Sequence, residues 1–217
     1  MKTSFLVILF LVLFYSCKKD SNQEVKFYDA YFPLDLGSWI QYSVHEINYS
    51  DIGYDTLDYD LKEILKETFL DDQGRLSYRV ERYWRFSKND PWEIKDVWVA
   101  NKSTTTAERV EENERYIKMV FPVSISQYWN GNVYNSMKEW GYSYDSLHFP
   151  REINQLTFDS TVKVIQRDNI NAVEFEQAEE IYAMNIGMIY KKLIDYDVNY
   201  TIKSGIEQEM KITAYGK

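Results

Sequence analysis

Residues 156–166 read LTFDSTVKVIQ, and the stretch alternates. Leu156, Phe158, Val162 and Val164 share one parity, while Thr157, Asp159, Thr161 and Lys163 share the other. Successive side chains of a strand point to opposite faces, so this pattern predicts an apolar row on one sheet face and a polar row on the other. Working outward, the same alternation recurs twice. Tyr78, Val80, Trp84 and Phe86 oppose Arg79, Glu81 and Arg85, and Ile206, Met210, Ile212 and Ala214 oppose Glu207, Glu209, Lys211 and Thr213. Further strands are expected over 39–47, 94–101, 106–111, 115–121 and 188–196, with turns at Glu112-Asn113, Asn130-Gly131-Asn132 and Asn169 to Asn171.

One segment reads two ways. Leu57, Leu61, Ile64, Leu65 and Phe69 fall at helical spacing, yet Leu61, Leu65 and Phe69 also share a strand face with Glu63 and Glu67 between them. The Asp71-Asp72-Gln73-Gly74 turn signal runs directly into the alternating stretch at Tyr78, which favours a hairpin from about Tyr59 to Phe86 over a helix. Strands about ten residues apart with short turns predict an all-β fold. The expected form is a single antiparallel meander, strongly curved or closed into a barrel or half-barrel, with at most a short helix. A large sheet with one apolar face must curl to bury it.

Composition agrees. Of 217 residues 19 are Tyr, aromatic residues make up 17%, and there are only 8 Gly and 4 Pro. Broad rings suit pleated surfaces, and 45% hydrophobic content excludes a disordered chain.

The chain opens MKTSFLVILFLVLFYSC. Lys2 supplies a positive start, Phe5 to Phe14 is an unbroken apolar run, and Ser16 is a small residue before Cys17. Those are the parts of an export signal, with an apolar run shorter than the roughly 20 residues a membrane-spanning helix needs. LFYSC resembles the lipobox of bacterial lipoproteins, with Phe14 and Tyr15 bulkier than its usual residues. The expected organisation is a signal peptide over 1–16, a lipidated Cys17 and tether over 17–26, and one β-rich domain over 27–217. An exported chain with a single cysteine cannot form an internal disulfide; a diacylglycerol thioether would consume its thiol, with palmitate as a further acyl group of the anchor.

Removing residues 1–16 takes one Lys and no acid, leaving 24 basic and 34 acidic side chains, a balance of −10. That charge disfavours nucleic acid and gives no electrostatic grip on anionic lipid, so an acyl anchor must hold the membrane. No metal or cofactor is expected. There are two histidines, His45 and His148, and no free thiol beyond Cys17. Asp145-Ser146-Leu147-His148 holds hydrolase residue types without a nucleophile elbow. Asp195-Tyr196-Asp197-Val198-Asn199 opens like a calcium loop but has Tyr200 and Ile206 where glycine and glutamate belong. The acidic run Asp51, Asp55, Asp58 and Asp60 reads as solvated loop. No catalytic residue is assigned, and a non-enzymatic protein is expected.

One cluster has binding chemistry. Trp129, Tyr134, Trp140, Tyr142 and Tyr144 interleave with Asn130, Gly131, Asn132, Asn135 and Ser143. Aromatic faces beside amides and hydroxyls can stack a sugar ring and hydrogen-bond its hydroxyls. The same rings can equally pack under a loop as a satellite of the core.

YFPLDLGSWIQYSV near the start of the domain, MVFPVSISQYWNGNVYN in the middle and EEIYAMNIGMIYKKLIDYD near the end together resemble the small envelope lipoproteins of Bacteroidota-type bacteria. The resemblance covers most of 31–217 and ties no motif to a reaction. It implies a β-rich domain facing the periplasm or the cell exterior. Asp55-Thr56-Leu57, Asp145-Ser146-Leu147 and Asp159-Ser160-Thr161 also resemble the O-glycosylation acceptors of those bacteria. The expected function is an outer-membrane lipoprotein with a non-catalytic domain that binds a ligand, possible glycan included, or a partner. The alternatives are a carrier that shelters an acyl chain in a curled sheet, and an assembly lipoprotein that docks on an outer-membrane partner. A greasy cavity would favour the carrier, a filled interior the binding module.

Overall fold

A computed structural model describes residues 26–217. The signal peptide, Cys17 and most of the tether expected above lie outside the described residues.

Twelve antiparallel strands form one sheet: β1 (Trp39–Ser50), β2 (Gly53–Leu70), β3 (Leu76–Arg85), β4 (Glu93–Lys102), β5 (Thr106–Glu111), β6 (Glu114–Val120), β7 (Tyr128–Asn130), β8 (Gly141–Ile153), β9 (Leu156–Ile170), β10 (Glu174–Ala183), β11 (Gly187–Asn199) and β12 (Ile202–Gly216). The spatial order is β6-β5-β4-β3-β2-β1-β12-β11-β10-β9-β8-β7. The first and last strands in sequence pair at its middle, and its two edges, β6 and β7, are consecutive in the chain. The sheet curls into a barrel closed everywhere except along the β6/β7 seam. Among the described residues the helical structure is one 3-10 turn, Asp29–Tyr31.

The ambiguous segment is strand. β2 runs from Gly53 to Leu70, and its buried row Tyr59, Leu61, Glu63 and Leu65 faces the interior. The helical spacing is coincidental: the leucines that carry it also fit period two, and β2 has hydrogen-bonded partners on both sides. Leu61 lies opposite Tyr42 of β1 and Trp84 of β3, which makes β2 a central strand. Asp71 shapes the turn into β3, accepting hydrogen bonds from the Gln73 and Arg75 amides.

Two long strands escape the alternation rule, each for a physical reason. In β10 the buried row is Glu176, Ala178, Glu180 and Tyr182, so the hidden face carries carboxylates. In β8 the register shifts at three places and Pro150 interrupts the run. Bulges and proline blunt the part of β8 that β7 does not cover, as edges usually require.

The barrel has two ends. One carries the chain entry and the turns after β2, β4, β6, β8 and β10. The other carries the turns after β1, β3, β5, β9 and β11 and the loop 131–140. The entry segment plugs the first end. Phe27 O accepts from Val123 N, Ala30 O accepts from Asn185 N, Tyr31 is fully buried, and Phe32 packs against Tyr182.

Candidate functional site

The five aromatic residues singled out above do not form one open platform. Trp129, Tyr142 and Tyr144 are buried, Trp140 is half-buried, and Tyr134 is exposed. Trp129 packs against both Tyr142 and Tyr144, with ring centroids 5.8 and 4.8 Å apart.

What the buried rings do is close the seam. Trp129 Nε1 donates to Ile117 O at 2.9 Å. Tyr144 Oη accepts from Val120 N at 3.0 Å and donates to Val120 O at 2.8 Å. Asn135 Nδ2 donates to Arg115 O, and Ile117 N donates to Gly131 O. The edge of β6 would otherwise show unpaired backbone groups, which are costly when buried and a template for aggregation when exposed. Gly131 makes this possible: a Cβ there would run into the Tyr142 ring. The sequence showed the density of rings but not this role, because their partners are backbone atoms of another strand.

The second feature was not foreseen. The interior holds a band of charge: Glu63, Asp96, Glu111 and Glu180 against Arg82, Arg109, Lys118 and Lys191. Glu63 accepts from Arg82 at 3.0 Å and from Arg109 at 2.8 Å, and Arg82 also reaches Asp96 at 2.9 Å. Lys118 joins Glu111 at 2.9 Å to Glu180 at 2.7 Å, tying β6 and β5 to β10 across the barrel. Lys191 lies opposite Glu180 in the β10–β11 register. Four acids face four bases, so the band is formally neutral. Arg82 also stacks its guanidinium over Trp98, 3.4 Å from the ring centroid.

These groups titrate as their surroundings dictate. Burial alone would raise the Glu63 carboxyl, but the Arg109 and Arg82 charges outweigh it and hold it below its usual range. Glu111 is likewise held down, to about 2, chiefly by Lys118 acting against its burial. Burial would lower the Lys118 ammonium, yet Glu111 and Glu180 raise it. At Lys191 burial wins and the ammonium falls below its usual value. A sequence signal for this band did exist. Arg82 interrupts the apolar row of β3 in register with Val80 and Trp84, and Glu63 interrupts that of β2.

Above the band, at the entry end, a cavity of about 60 Å³ is bounded by Pro33, Trp39, Ile40 and Met188, with Glu63 and Arg109 on its floor. It accommodates a few water molecules. Arg109 Nε is buried without a protein partner, which suits such a water.

The two histidines lie far apart in role. His45 Nδ1 meets Asp58 on the surface at 2.7 Å. His148 Nδ1 hydrogen-bonds Tyr31 Oη and Ser160 Oγ, at 2.8 and 2.9 Å, and its ring contacts Tyr28 edge-on. Tyr31 and Ser160 are also hydrogen-bonded to each other at 2.8 Å, so the three side chains form a clasp that fixes the entry segment to β8 and β9. Ser146 of the Asp145–His148 stretch instead accepts from Arg151.

Neither a protein-family model nor a curated relative matches the chain. Two solved structures are similar over 89% of this chain and all of theirs. One is a protein of YmcC-like fold assigned as exported, from Bacteroides fragilis NCTC 9343, at 11% identity and a TM-score of 0.45. The other is assigned as a lipoprotein, from Parabacteroides distasonis ATCC 8503, at 13% identity and a TM-score of 0.43.

Proposed function

We propose that this chain is an envelope lipoprotein, held to the outer membrane through lipid on Cys17, whose β domain binds a ligand or partner on its outer surface without catalysing a reaction. The observation that carries the reading is the filled interior. Ion-paired side chains span the barrel, the entry segment plugs one end, and the cavity of about 60 Å³ is far below the few hundred that small-molecule sites occupy. An acyl chain has no room there, and a band of charge is a poor lining for one, so the carrier reading loses its support. Recognition is left to the loops and outer faces.

Docking on a protein partner is the second reading. The tips of two neighbouring hairpins favour it, because Ile52 and Tyr200 are almost wholly exposed at the end remote from the chain entry. Tyr54 and Ile202 beside them are exposed as well, and a contiguous apolar patch of this kind marks an interaction surface. Replacing Cys17 with Ser tests the anchor. The variant is expected in the soluble fraction, unlabelled by radioactive palmitate. Continued membrane partition with label would refute it.

A further inference from the structure

We propose that the barrel stands on the bilayer with its entry end down, seating an apolar rim on the lipid surface. This rests on the lipid anchor at Cys17 and adds which face of the domain the membrane covers.

Two observations carry it. The first is reach. Between Cys17 and Phe27 lie nine residues, which at full extension span about 30 Å. The chain joins the domain at the entry end, where Phe27 O is bonded to Val123 N in the turn after β6. β1 alone has 12 residues, about 40 Å along the strand and roughly 30 Å along the axis at the usual barrel tilt. To put the far end on the membrane the tether would have to run the whole height of the barrel at full stretch. With the entry end down it has slack.

The second is that the end within reach has apolar side chains to seat. The far end exposes them too, at Ile52, Tyr54, Ile170, Val173 and Tyr200, so reach is what chooses between the ends. Phe27, Leu36, Leu70, Leu76 and Ile125 are each about half exposed or more, on the entry segment, the β2–β3 hairpin and the turn after β6. Leu70 and Leu76 face each other at the base of the turn after β2. Several charges beside them are paired: Asp29 with Lys102 at 3.1 Å, Asp35 with Lys217 at 2.9 Å, Asp71 with Arg75 at 2.8 Å. Paired charges can stay hydrated at headgroup level while the apolar side chains between them enter the acyl boundary. The negative chain gains nothing from anionic lipid, so the seat is apolar. Ile52 and Tyr200 then point away from the membrane.

The chain's single cysteine is consumed by the anchor, so an introduced cysteine alone takes a thiol dye. Leu36→Cys, Leu70→Cys and Ile125→Cys report on the entry end, Ile52→Cys and Val173→Cys on the other. Each lipidated full-length variant is carried into phosphatidylethanolamine–phosphatidylglycerol vesicles containing brominated lipid. Vesicle flotation is measured alongside dye quenching. The seat predicts at least twofold quenching at the three entry-end positions and none at the other two. Flotation with quenching at the far end, or at neither end, overturns the seat while leaving the anchor intact. Failure to float removes the anchor and the seat with it.

Discussion

At the scale of the residue, the sharpest consequences fall on side chains that are buried and polar. Lys118 is the only described ammonium bonded to both Glu111 and Glu180, so Lys118→Met leaves two carboxylates facing each other in the interior. Removing one member of a buried ion pair typically costs about 3–5 kcal/mol. Urea unfolding should show a loss of that order, with partial recovery when Glu111→Gln and Glu180→Gln are added. Tyr144→Phe removes both bonds to Val120 and should cost about 1–3 kcal/mol, because the edge groups lose their partner. Gly131→Val should act at the same seam, raising amide exchange at Ile117 relative to the β1–β12 ladder. Protection at Ile117 equal to wild type would show that the seam does not depend on this contact. Why the sequence concealed these roles is plain from the partners. A tyrosine that bonds a backbone 24 residues away looks the same on the page as one that stacks on a sugar.

At the scale of the element, proline separates central strands from edges. Leu61→Pro and Lys62→Pro in β2 should be similarly severe, because β2 donates to β1 on one side and β3 on the other. Far-UV circular dichroism and solubility of the two variants decide it, and a well-tolerated proline at either position would contradict the central placement. Gly74, at φ +72° with open space around it, should cost about 1–2 kcal/mol as Val through backbone strain alone. Strands with one greasy face, such as β3, β9 and β12, were legible from parity. The hairpin at Asp71–Gly74 was legible from its turn residues. β10 was not, since carboxylates occupy its hidden row, and three register shifts with Pro150 broke the pattern of β8. The sequence rule assumes that inward means apolar. This barrel departs from it at each buried ion pair; a single inward charge, such as Glu63 in β2 or Arg82 in β3, leaves the parity readable, whereas two carboxylates in one row hide β10.

At the scale of the whole molecule, the band of charge ties stability to pH. Glu63 and Glu180 are held below their usual values and Glu111 at about 2; outside the band, Glu176 is also held at about 2, against its burial, by Lys138 and Arg167. Depressed carboxyls stabilise the fold above their unfolded value, near 4.3, and lose that contribution as pH falls through the folded value. A fully expressed shift such as that of Glu111 is worth about 3 kcal/mol. Thermal unfolding followed by circular dichroism should change little from pH 7 to 5 and fall steeply between about 4.5 and 2. A flat profile to pH 2 would mean the band contributes nothing net. The same band, with the plug at the entry end, is why we propose recognition on the outside of the barrel. The most direct test is a titration of residues 18–217, the tether and β domain without the lipidated cysteine, with a fluorescent 16-carbon fatty acid. A filled interior predicts no saturable binding and no blue-shifted emission, whereas one-to-one binding at micromolar affinity, competed by palmitate, would contradict it.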